Sequence, residues 1–128
     1  SIHNDGSWIG NLQTISEYRG YWVKLDLGDP FATISYSIFA YPTSENIVYE
    51  LSEGYNLISY VGINNMSVSS AIPDELESKI TAIITESYAA IQLHEMIWVG
   101  TLENFNQSKG YWMHCTEDIE FWWHNNNE

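Results

Sequence analysis

Shifted by about 90 residues, the chain lies on itself. Trp8-Ile9-Gly10-Asn11-Leu12 falls on Trp98-Val99-Gly100-Thr101-Leu102, and without a gap Arg19-Gly20-Tyr21-Trp22 falls on Lys109-Gly110-Tyr111-Trp112 and Phe31 on Phe121. Self-similarity of this kind implies one supersecondary unit made twice, with neighbouring units burying each other's apolar sides. Trp and Gly are individually constrained residue types. The shared positions Trp8, Gly10, Leu12, Gly20 and Trp22, with Trp98, Gly100, Leu102, Gly110 and Trp112, are therefore expected to form a common repeat core. The organisation expected is one domain over 1–128: 1–40 is the C-terminal half of a repeat, 41–124 one full repeat, and 125–128 a frayed polar tail.

The apolar stretches are built from Ile, Val, Tyr, Trp, Phe and Thr, residues that suit a pleated surface, and long Ala/Leu/Glu/Lys blocks are missing. The fold class expected is β-rich with a minor helical part, as antiparallel meanders and hairpins. Strands are expected at Tyr21 to Leu25, Phe31 to Ala40, Ile47 to Leu51, Tyr55 to Gly62 and Tyr111 to Cys115. Turn chemistry at 26–30, at 42–46, at Glu53-Gly54 and at 116–118 separates them. In each repeat half the strand after the second glycine is expected to form a hairpin with the segment opening at Phe31 or Ile119. Pro73-Asp74 makes a good helix start, so one short helix is expected over about 68 to 78, with strands after it; one long helix reaching residue 92 is the rival reading.

Seventeen Asp and Glu face only Arg19, Lys24, Lys79 and Lys109, a net charge of −13 that repels phosphate backbones and anionic lipid. Nucleic acid is therefore excluded as a partner. No apolar run approaches the roughly 20 residues of a membrane span, so membrane insertion is not expected. Cys115 is the single cysteine, so no disulfide can form within the chain. The chain opens on Ser1 without a methionine, and a fragment or processed product is the expectation.

Leu51-Ser52-Glu53-Gly54-Tyr55-Asn56-Leu57-Ile58-Ser59-Tyr60, Ala71-Ile72-Pro73, Trp98-Val99-Gly100-Thr101-Leu102 and Gly110-Tyr111-Trp112 form a further pattern. It resembles a repeat module of large bacterial or phage surface and secreted proteins, many of them marine. Residues 49 to 123 cover one copy and residues 8 to 31 the second half of another. Tyr55 stands where that pattern has Trp, Thr101 where it has Ser, and Glu86-Ser87 where it often has a Gly-rich turn. The resemblance implies an extracellular, cell-surface or virion setting and an accessory role, with other copies of the repeat or another protein subunit as partner.

Nucleophile motifs such as G-x-S-x-G and phosphate-binding glycine loops are missing, and an enzyme is not expected. Adjacent strand residues point to opposite faces, so His114 and Cys115 are poorly placed to share a metal. Asp26, Asp29, Glu117 and Asp118 occupy matching turns in the two halves; solvated turn residues are the first reading and oxygen ligands for calcium the second, no other cofactor being expected. The same alternation separates Tyr21 from Trp22, Tyr111 from Trp112, and Trp122 from Phe121 and Trp123. With the four repeated tryptophans assigned to the core, Tyr21, Tyr111 and Trp122 are expected to face outward as a ligand-binding or inter-repeat surface. Two functions follow: a non-catalytic module mediating adhesion or subunit contacts, and, as alternative, a carbohydrate-binding module stacking those rings on a glycan.

Overall fold

In the computed structural model the residues described are 1–4, 7–16, 19–21, 23–24, 26, 28–29, 31–33, 35, 44, 46–62, 64–94, 96–107 and 109–124. They form β1 (Ile2–Asn4), β2 (Ser7–Ile9), β3 (Tyr49–Leu51), β4 (Gly54–Ser59), β5 (Met66–Ser67), α1 (Val68–Ala71), α2 (Asp74–Glu77), β6 (Ile80–Ile84), β7 (Ala89–His94), β8 (Ile97–Gly100), β9 (Asn104–Phe105), β10 (Gly110–Cys115) and β11 (Ile119–Phe121). The chain is β-rich and antiparallel. One sheet of five strands runs in the order β4-β10-β6-β7-β8, and three two-stranded pairs, β1-β2, β11-β3 and β5-β9, accompany it.

The middle of the large sheet is set by β10, whose residues alternate between faces as any strand must. Tyr111, Met113 and Cys115 point inward and are fully buried, beside Ile58 of β4 and Ile80 and Ile83 of β6. A second layer closes this inner face. β3 and β11 supply Tyr49, Leu51, Ile119 and Phe121, the helices supply Val68, Ala71 and Leu76, and Trp123 follows β11. The rings of Tyr60, Phe105, Tyr111, Phe121 and Trp123 meet at centroid distances of 4.7 to 5.5 Å, mostly edge to face. Such pairs add about 0.5–1.5 kcal/mol each beyond the area they bury. The polar edges of this cluster are also satisfied: the Trp123 indole and the Tyr49 hydroxyl both donate to the Ser59 carbonyl, at 3.0 and 3.1 Å.

Several expectations are corrected here. β11 pairs with β3 rather than folding back on β10 as a hairpin. The Thr116 amide donates to the Lys79 carbonyl (2.9 Å) and an Asp118 carboxylate oxygen accepts from the Glu53 amide (2.8 Å), so the turn is pinned to two other segments. That leads the chain out of the sheet into the second layer. The expected helix is two single turns, because the backbone becomes extended at Ile72 and Pro73. Ser67 Oγ caps the first by accepting from the Ser70 amide, and Pro73, which donates nothing, opens the second. Residues after Lys79 are strands, and the long-helix alternative falls away. Tyr21, Val23 and Lys24 lie outside any strand, as do the described residues of Phe31 to Ala40; the rest of that segment and the tail 125–128 lie outside the described residues.

The β7-β8 hairpin turns through Met96 at φ 63°. β8 ends at Gly100, whose φ of 143° is open only to glycine and where a Cβ would come within 2.1 Å of the Ala89 carbonyl oxygen. This is the close approach that a glycine in the W-[IV]-G pattern allows.

Candidate functional site

Because β10 buries Tyr111, its neighbours Trp112 and His114 project from the opposite, outer face of the sheet. The cross-strand registers carry this face across all five strands. One row runs Tyr55–His114–Ala82–Ile91–Val99 and the next Leu57–Trp112–Ile84–Ala89. Tyr55, Ile84, Ile91 and Val99 are exposed, and neither row contains a carboxylate. In a chain of seventeen acidic residues this is an unusual surface. Its apolar character begins with strand sequence: in Ile80-Thr81-Ala82-Ile83-Ile84 apolar residues occupy both faces, a pattern ordinarily found in strands covered on both sides.

The polar atoms of the face gather around His114. His114 Nδ1 is 2.7 Å from Thr81 Oγ1, which a bulge between His114 and Cys115 carries beside it, and the ring of Tyr55 stands edge-on to the imidazole at 4.6 Å. Near Leu57 the face meets the N-terminal segment. The Gly20 amide donates to the Leu57 carbonyl (3.0 Å), and a Cβ on Gly20 would sit 2.7 Å from Leu57 Cγ and push that side chain aside. Beside it Arg19 and Tyr21 line an open groove of about 770 Å³ against Val48, Glu50, Leu57 and Trp112.

The rings expected outward are thus redistributed. Tyr111 is a correction: it is fully buried, and its hydroxyl accepts from the Asn106 amide at 2.8 Å, which lets a phenol occupy the core without an unpaired oxygen. Trp112 is the matching correction, half-buried on the outer face rather than in the core. Tyr21 is half-buried, its hydroxyl accepting from the Ser16 amide at 2.8 Å, and Trp122, next to Phe121 of β11, is exposed. Of the remaining positions expected in a repeat core, Leu102 is buried and Trp98 packs against the core from the inner face. Leu12 is exposed, as are Gly10, Gly100 and Gly110, and Gly20 is half-buried. Trp22 lies outside the described residues, and Trp8 sits on β2.

The inner side holds a buried acid that reading the sequence as a helix start misplaces. Glu77 is fully buried at the end of α2; its carboxyl accepts from the Trp98 indole and its carbonyl from the Gln92 side chain. Burial also pushes the Cys115 thiol up to about 11, and Asn56 Nδ2 lies 3.8 Å from its sulfur. It is an inert core thiol.

The turn carboxylates are already engaged. Asp26 accepts from the Gly28 amide and Asp29 from the Phe31 amide, as Asx turns. Glu117 pairs with Lys79 at 2.7 Å and Asp118 holds Glu53. Among the described residues no three His, Cys, Asp or Glu side chains gather as metal ligands. No helix of the described residues is long and apolar enough to cross a membrane. Compared with known protein families, curated proteins and solved structures, the chain matches none.

Proposed function

We propose that this chain is a non-catalytic module of an extracellular surface or virion assembly, and that it makes its subunit contact through the outer face of the five-stranded sheet. The observation that carries this reading is the absence of carboxylates from the two apolar rows between Tyr55 and Val99. Tyr55, Ile84, Ile91, Leu93, Ile97 and Val99 together present on the order of 500 Å² of accessible surface, near the top of what monomers leave uncovered. A standard interface takes about 800 Å² from each partner, so this face with its half-buried Leu57 and Trp112 is of a fitting size. The surface or virion setting rests on the sequence pattern alone.

Light scattering over a concentration series at two ionic strengths tests it. Two chains of charge −13 repel, so association is expected to grow with salt, which screens that repulsion, and to disappear in Ile91→Lys. Equal association of wild type and Ile91→Lys would overturn the assignment of the face. The grouping of Tyr55, His114 and Trp112 favours a second reading, in which the rings stack on a glycan. A chain that stays monomeric at both salts but binds immobilised polysaccharide, and loses that binding in Trp112→Ala, would establish it instead.

A further inference from the structure

The N-terminal segment repeats local geometry of the C-terminal one, but its apolar side chains are exposed among the described residues. β1 and β2 pair Asn4 with Ser7 as β7 and β8 pair His94 with Ile97, each residue 90 places on, before a bulge between Gln92 and His94 shifts the second hairpin by one residue. Gly10 and Gly100 have φ of 141° and 143°. The Ser16 amide donates to the Tyr21 hydroxyl at 2.8 Å, and the Asn106 amide to the Tyr111 hydroxyl at the same distance. Burial is where the two segments part. Leu102, Phe105, Met113 and Phe121 are 8, 0, 0 and 0% exposed, whereas their counterparts Leu12, Ile15, Val23 and Phe31 are 44, 79, 66 and 91% exposed. The correspondence ends there, since Asp29 and Thr33 stand opposite Ile119 and Trp123.

Tyr111 and Met113 are flanked by β4 and β6, and Phe121 by Tyr49 of β3. All three strands belong to residues 49–84, and the sequence has one segment of that pattern against two of the W-[IV]-G-x-L and G-Y-W pattern. Among the described residues, then, each copy has one such segment, already engaged with its own C-terminal set, and one exposed N-terminal set.

We propose that Leu12, Ile15, Tyr21, Val23 and Phe31 form an acceptor half-site for a polypeptide segment of the same chemistry as residues 49–84. That segment supplies an apolar antiparallel strand to cover Tyr21 and Val23 as β4 covers Tyr111 and Met113. The acceptor residues Leu12, Ile15, Tyr21, Val23 and Phe31 are distinct from the two outer-face rows between Tyr55 and Val99.

The test supplies such a segment. The full chain is extended by a second copy of its own residues 44–90 joined ahead of Ser1, and amide exchange over Leu12 to Val23 is compared with that of the 128-residue chain. Exchange slower by roughly tenfold or more is expected, as for any segment drawn into a cooperative unit. Phe31→Asp is expected to leave the melting temperature of the 128-residue chain unchanged and to lower that of the extended chain. Unchanged exchange, or indifference of both chains to Phe31→Asp, overturns the proposal. So does concentration-dependent protection of these amides in the unextended chain, which would make a second copy the occupant.

Discussion

Trp98→Phe isolates the contact between a half-buried motif tryptophan and the one fully buried acid among the described residues. The indole N–H donates to Glu77, and Glu77 has almost no surface of its own. Removing the donor strands a buried acceptor away from water, which costs about 1–3 kcal/mol. Trp98 is half-buried, so trimming the ring to phenyl adds about 1 kcal/mol for lost packing. The expected total is about 3 kcal/mol, a large part of the roughly 5–15 kcal/mol that holds a typical domain folded. Urea denaturation with a double-mutant cycle measures it. In a Glu77→Leu background the same substitution is expected to cost about 1 kcal/mol, since no acceptor is left unpaired. A single-mutant loss below that figure, or equal losses in both backgrounds, would refute the claim that the indole serves the carboxyl group.

Three further outcomes follow from backbone and burial. Met96→Gly is expected to raise stability by about 0.5–1 kcal/mol in the same denaturation assay, because Met96 is exposed at φ 63° and glycine removes the left-handed penalty of roughly 1–2 kcal/mol at some cost in chain entropy. Gly100→Ala is expected to cost about 3 kcal/mol or more and to lower the melting temperature by about 10 °C, the strained φ and the clash with the Ala89 carbonyl acting together. The Cys115 thiol is expected to resist alkylation at pH 8 until urea is added. Its folded pKa of about 11 lies above the unfolded value near 9, so its contribution is intact below pH 9 and is lost as pH rises through 11. A denaturation midpoint that rises over that window would contradict the burial.

Much of the strand layout is legible in local chemistry. Gly54, the Thr116-Glu117-Asp118 turn and Pro73-Asp74 mark real boundaries, and strand alternation correctly sets Trp122 against Phe121 and Trp123. Alternation also separates Tyr111 from Trp112, but a period of two says only that neighbours part, not which goes inward. Size and repetition favour the tryptophan. The structure favours the tyrosine, because a hydroxyl that reaches the Asn106 amide can be buried at no cost in unpaired polar atoms. Strand pairing is harder still to read. β10 lies between β4 and β6 because of contacts made by the turn after it, and those contacts reach Lys79 and Glu53, residues far away in sequence. The outer face did leave a signal, the doubly apolar Ile80–Ile84, which competes with a helical reading of the same residues.

The position of β10 also decides when this sheet can exist during synthesis. β6, β7 and β8 leave the ribosome in succession and can pair at once, whereas β4 waits for a neighbour encoded after all of them. Until Gly110–Cys115 has been made, the Ile80–Ile84 edge is bare, uncharged and rich in β-branched residues, the profile of a strand that recruits its like from other nascent chains. Ribosomes stalled or truncated ahead of Gly110 should accordingly yield insoluble product, and those released just beyond Cys115 should yield far less of it.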